Sequence, residues 1–168
     1  MQLKAFARQD GMIIALLWTV SFACTVLVRA GALGNLLAIA TPFAVGWRLT
    51  QFRNYALGGT MSLRRAYAYG IYTFFYASIV FAIVQWAYFQ FVDNGAFATG
   101  VSQMMAAVAP IYRQNGFSQE QISQSISIVG MLTPIQWAFM FMMQNIFIGV
   151  VLSLPIALCC RRGNLKRQ

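Results

Sequence analysis

Long uncharged runs, separated by short polar stretches, dominate the pattern of this chain. The clearest run covers residues 66–92, which read AYAYGIYTFFYASIVFAIVQWAYFQFV between Arg65 and Asp93. An α-helix rises about 1.5 Å per residue and the hydrocarbon core of a bilayer is about 30 Å thick, so about 20 residues cross it. The run is therefore long enough to span a membrane with some tilt.

Three other runs have the same character. The predicted membrane spans are residues 11–28, 31–47, 66–92 and 133–158. Only Arg29 and Ala30 separate the first two, so these are expected to form a tight antiparallel hairpin. Small or polar side chains recur at every fourth position in three of the spans, a spacing that lets helices approach closely. They are Ala15, Thr19 and Ala23, then Gly34, Ala38 and Pro42, and finally Asn145, Gly149, Ser153 and Ala157.

The segment between the last two spans, residues 94–132, shows a different periodicity. Apolar residues recur at helical spacing on one face of its first half and again after Gly116. Ser118 and Gln121 fit a capping box, in which each side chain bonds the other residue's backbone N–H. The pattern predicts an all-α membrane protein: a four-helix transmembrane bundle, as one domain, with two short amphipathic helices in an extracytoplasmic loop.

The distribution of basic residues predicts the orientation. Four spans place all Lys and Arg on one side of the membrane except Arg29 and Arg113. Basic residues are retained in the cytoplasm. We therefore expect a bacterial inner-membrane protein with both termini in the cytoplasm and the 94–132 segment outside.

Composition narrows the function more by what is missing than by what is present. The chain of 168 residues is 60% apolar and 9% charged, with a net charge of +9 and no histidine. The basic residues lie at the ends of apolar runs, which favours a membrane over nucleic acid as their partner. The acids are expected at span edges or in loops, with Asp10 as a helix cap. No metal-ligand spacing, phosphate loop or paired carboxylate is evident, so we expect no cofactor and no enzyme activity.

A candidate polar layer lies within the spans. Gln144 and Asn145 fall near the middle of the fourth span, and Gln85 lies toward the outer part of the third. Polar side chains at that depth are expected to face protein or a wet cavity rather than lipid. Two interpretations remain open: hydrogen bonds between helices, or a polar lining for a lipid or solute.

The basic inner face is a second candidate site. Anionic headgroups, including a polyprenyl phosphate, would be attracted there, although topology alone also accounts for the charges. The candidates are Arg48, Arg53, Arg64, Arg65, Arg161 and Arg162. The outer 94–132 segment has two interpretations as well, either a cover for the bundle or a docking surface.

Two stretches resemble one known family. SLRRAYAYGIYTFFYA leads into the third span, and YRQNGFSQEQISQSISIVGMLTP leads into the fourth. Together with the initial hairpin and the basic loop, they resemble the domain of unknown function 4199, found in membrane proteins of Bacteroidota. Genes of that family often lie beside one for a polyprenyl-phosphate glycosyltransferase of the GT-A type, so the resemblance implies such a neighbour. The family has no assigned activity or catalytic residues to transfer.

The leading hypothesis is a non-enzymatic accessory or scaffold subunit that packs against a membrane protein partner or further copies of itself. The glycosyltransferase is the partner that the resemblance implies. The alternative is a small lipid or solute translocator that uses the Gln144–Asn145 layer.

Overall fold

The computed structural model describes residues 2–28 and 30–161, which form six α-helices. These are α1 (Gln2–Val26), α2 (Gly31–Ala56), α3 (Leu63–Phe91), α4 (Ala96–Gln114), α5 (Gln119–Met131) and α6 (Pro134–Cys160). Four of them, α1, α2, α3 and α6, are long and apolar enough to cross a membrane. The predicted number of long apolar helices is confirmed.

Two of these helices extend well beyond the uncharged runs. α1 begins at Gln2, so Asp10 lies inside the helix and the prediction that it caps the first span is wrong. α2 continues to Ala56, so the first half of the supposed polar loop after Trp47 is helical. Gly58 and Gly59, with φ of +64° and +87°, then end the helix. The candidate spans as the structure bounds them, Leu3–Val26 and Gly31–Ala56, therefore include Asp10 and Arg48, which the uncharged runs left outside.

The chain divides into two units, with α3 and α6 contributing to both. The first contains Met1–Ala82 and Phe141–Gln168, and the second contains Ile83–Met140. Small residues allow close contact between helices of the first unit. A Cβ added at Gly149 would lie 2.4 Å from Phe74 Cβ, and one added at Gly70 would lie 2.6 Å from Ser153 Oγ. The small-residue spacing in the fourth span therefore marks the α3–α6 contact.

Polar side chains also join α1 to α2 in the first unit. Trp18 Nε1 donates to Thr41 Oγ1 at 2.9 Å, and the Ser21 hydroxyl donates to the Gly34 carbonyl at 2.7 Å. Gly34 packs against α1 with no room for a side chain. These contacts hold the predicted hairpin of the first two spans together.

The second unit contains the two short helices and their caps. The Ser118 side chain accepts from the Gln121 backbone N–H, and the Gln121 side chain accepts from the Ser118 backbone N–H. The predicted capping box is therefore present. Gly116, with φ of +91°, makes the turn between α4 and α5. Between these helices lies a groove of about 310 Å³ lined by Met105, Tyr112, Phe117, Gln121, Ile122 and Ser125.

We expect Gly149→Ala to destabilise the protein, because the new methyl group would overlap the side chain of Phe74. Overpacking of this kind typically costs about 1–3 kcal/mol. Thermal unfolding in detergent measures the loss. Gly46→Ala is the matched control, since its Cβ would meet Cys160 Sγ at 3.4 Å, which is ordinary contact. Equal unfolding temperatures for the two variants would contradict the close α3–α6 contact.

Candidate functional site

An ion pair with a tyrosine connects three helices of the first unit. Arg48 donates to Asp10 Oδ1 through two nitrogens, with Nε at 2.6 Å and Nη2 at 2.5 Å. The Tyr69 hydroxyl donates to the other carboxylate oxygen, Oδ2. Asp10 is 1% exposed, whereas Arg48 is 28% exposed. Both oxygens of this buried carboxylate are thus occupied.

Helical spacing explains how these residues meet. Asp10 lies on the same face of α1 as Ala7 and Ile14, and both neighbours are fully buried. Arg48 lies on α2 next to the buried Leu49. A carboxylate on a buried face must be paired, because an isolated charge away from water is strongly destabilising.

Aromatic packing holds Tyr69, the third residue of the cluster that it forms with Asp10 and Arg48. The Tyr69 ring stacks on Phe52 with centroids 5.1 Å apart and planes inclined by 14°. Tyr69 is itself fully buried. The ring is held by α2 while its hydroxyl binds α1, so the cluster joins α1, α2 and α3. With both acceptor oxygens bonded internally, we interpret it as a structural tie.

The pairing of Asp10 with Arg48 and Tyr69 is not among the sites predicted from the sequence. Asp10 stands at the edge of an uncharged run, where a helix cap is the simpler interpretation. The available signal was the spacing of Ala7, Asp10 and Ile14, which places the acid on the same helical face as two apolar residues.

The members of the candidate polar layer have different surroundings. Gln144 is exposed on α6, and Asn145 beside it is partly buried. Neither makes a hydrogen bond to another described side chain. Gln85 belongs to the second unit, is 5% exposed, and its Oε1 has no hydrogen-bond partner among the described residues. A role of these amides in lining a path stays a prediction.

The basic candidates also divide into groups. Arg48 pairs with Asp10, and Arg53 donates from Nη1 to the Cys160 carbonyl at 2.5 Å. Arg64, Arg65 and Arg161 are exposed. Arg162 lies outside the described residues. Binding of anionic headgroups by these arginines stays a prediction, but two of them already have partners inside the protein.

The four apolar helices define a multi-pass membrane protein. The model of the family "Protein of unknown function (DUF4199)" matches residues 9–162, and the chain belongs to this family. The resemblance noted in the sequence is thereby confirmed. Comparisons with curated proteins and with solved structures gave no significant match.

We expect removal of one partner from the ion pair to be more harmful when the acid remains. Arg48→Met would leave the Asp10 carboxylate buried without its cation, with a loss of about 3 kcal/mol or more. Asp10→Leu should be less harmful, because Arg48 is partly exposed and its guanidinium can reach water. Equilibrium unfolding in mixed micelles measures both variants.

The double variant Asp10→Leu/Arg48→Met completes the cycle and should recover part of the loss. Arg64→Met is the control for removing an exposed arginine. A double variant whose loss equals the sum of the single losses would argue against the tie between α1 and α2.

Proposed function

We propose that this protein is a non-catalytic accessory subunit of a membrane complex. The observation that carries the proposal is the position of Gln144. Its amide is exposed near the middle of α6, a helix apolar enough to span the membrane, and it bonds no described residue. A polar side chain facing hydrocarbon is unfavourable, so a second membrane-spanning helix is the natural cover.

The surroundings of Gln144 support a helix as that cover. Phe147, Ile148 and Val151 follow on the same face of α6 and are 70%, 43% and 55% exposed. An apolar stripe with one amide suits helix association, since packing and an interhelical hydrogen bond would add. The partner class implied by the family resemblance is a polyprenyl-phosphate glycosyltransferase.

The ion pair fits the same proposal. Its carboxylate oxygens bind Arg48 and Tyr69, so the ion pair serves the packing of α1, α2 and α3. The protein would present a firmly held bundle to its partner.

Gln144→Leu should weaken the complex and leave the protein folded, because the amide makes no hydrogen bond to a described residue that the change would remove. One interhelical hydrogen bond is worth about 1 kcal/mol, or about fivefold in association. Native mass spectrometry after mild extraction measures the fraction in complex. Met143→Leu, an apolar change at an exposed neighbour on α6, is the control.

Extraction from its own membrane as a lone folded chain would overturn the accessory role. A complex that tolerates Gln144→Leu but loses transport of a lipid or solute would favour the translocator hypothesis instead. The observation that supports the translocator hypothesis is that Asn145, adjacent to Gln144, is partly buried.

We propose in addition that both termini lie in the cytoplasm of a bacterial inner membrane. The bias of Lys and Arg supports this orientation. In a background with the native cysteines replaced by alanine, Ser123→Cys on α5 should react with a membrane-impermeant maleimide in intact cells. Ser62→Cys, between α2 and α3, should react only after permeabilisation. Both serines are exposed, so the reverse pattern would invert the topology.

A further inference from the structure

A groove runs between α2 and α6 at the end of the first unit where the basic residues collect. It has a volume of about 410 Å³, within the usual range of about 300–1,000 Å³ for ligand pockets. Its lining is predominantly apolar and includes Pro42, Gly46, Trp47, Pro155, Ile156 and Cys160. A groove of this composition suits a hydrocarbon chain.

The sequence explains why the groove exists. Each helix carries one proline along it, and a proline inside a helix removes a backbone hydrogen bond and crowds the preceding turn. Gly46 contributes no side chain between them. A Cβ at this position would meet Cys160 Sγ at 3.4 Å and Ile156 Cγ2 at 3.8 Å, so the two helices are in contact beneath the groove.

Three arginines lie next to residues that line this groove. The Arg53 guanidinium donates to the carbonyl of Cys160, a lining residue, and also to Asn54 Oδ1. Arg161 follows Cys160 directly and is exposed. The Arg48 guanidinium lies 5.8 Å from the ring centroid of Trp47, another lining residue.

The charge balance there is positive. Among the described residues, Asp10 is the acid that binds an arginine of this group, and it neutralises Arg48 alone. Arg53 and Arg161 make no ion pair with a described carboxylate. Arg53 uses two of its five N–H groups in the bonds described, which leaves donors for a phosphate.

We propose that this groove binds one anionic phospholipid from the leaflet at the basic end of the bundle. One acyl chain lies in the groove, and the phosphate contacts Arg53 and Arg161. Charge complementarity selects the anionic headgroup, while the apolar lining selects the chain. The proposal is independent of the partner inferred from Gln144.

The test is native mass spectrometry of the full chain in micelles that contain equal amounts of dioleoyl phosphatidylglycerol and dioleoyl phosphatidylcholine. The chains are identical, so a difference in retention reports the headgroup. We expect one retained phosphatidylglycerol per protein. Arg161→Gln should lower the ratio of retained phosphatidylglycerol to phosphatidylcholine about fivefold, as expected for loss of one arginine near the lipid surface.

Arg64→Gln and Arg65→Gln are the matched controls. Both arginines are exposed on α3, and each substitution removes one positive charge, as Arg161→Gln does. They should leave the ratio unchanged. Equal retention of the two lipids, or an equal fall with the control variants, would overturn the proposal, since the attraction would then be general.

Two further variants test whether the acyl chain of the lipid lies in the groove. Gly46→Leu should fill the groove and reduce retention of both lipids. Phe43 is 75% exposed and lines the groove, so Phe43→Ser removes apolar lining without crowding the contact between α2 and α6. It therefore tests whether the acyl chain lies in the groove. Unchanged retention in a folded Phe43→Ser variant would contradict the groove as the chain site. A co-purified polyprenyl phosphate in place of phospholipid would show that the assigned occupant is wrong.

Discussion

The pairing of Asp10 with Arg48 and Tyr69 is the interaction on which the packing of the first unit depends. A carboxylate that is 1% exposed is tolerated only with its charge balanced and its oxygens bonded. The three partners come from α1, α2 and α3, so satisfying one buried group fixes three helices relative to one another. The hydrogen bond of Trp18 to Thr41 and the stacking of Phe52 on Tyr69 act on the same helices.

Small residues provide the other half of this packing. In a membrane the apolar surfaces of helices gain little by leaving lipid for protein, so close contact and hydrogen bonds must hold them together. Gly149 against Phe74 and Gly70 against Ser153 bring α3 and α6 to a separation that larger side chains would prevent. At Gly46 an added Cβ would make only ordinary contact with Cys160 on α6, and the missing side chain there helps to form the groove.

Polar groups that are paired within the chain and polar groups that are not therefore have different consequences. Asp10 and Arg48 are satisfied within the chain and hold the bundle together. Gln144 is exposed on a helix that is apolar enough to cross a membrane, and it bonds nothing within the described residues, which is why we propose a partner helix as its cover. Arg53 and Arg161 lie near an apolar groove without a carboxylate partner. The proposed helix partner would bind the Gln144 amide, and the proposed lipid would bind the guanidinium groups of Arg53 and Arg161.

The sequence by itself determined the four long apolar helices, the two shorter helices between the last two of them, and the capping box of α5. The long helices follow from the length of the apolar runs compared with the thickness of a bilayer. The capping box follows from local hydrogen bonds between side chains and backbone. It misplaced the helix ends, because a charge at the edge of an apolar run is ambiguous between a cap and a buried pair. At Asp10 the sequence favours the cap, and the structure shows the pair.

Only the tertiary structure decided which side chains meet. Asp10 is separated by 38 residues from Arg48 and by 59 from Tyr69. Such contacts depend on the rotation of each helix about its axis, which a nearly uniform apolar sequence does not specify. The rotation of each helix also determines that Gln85 is buried, that Gln144 is exposed, and that Pro42 and Pro155 line one groove. The bilayer constrains only the length of a span, whereas the neighbouring helices determine which face of it is buried.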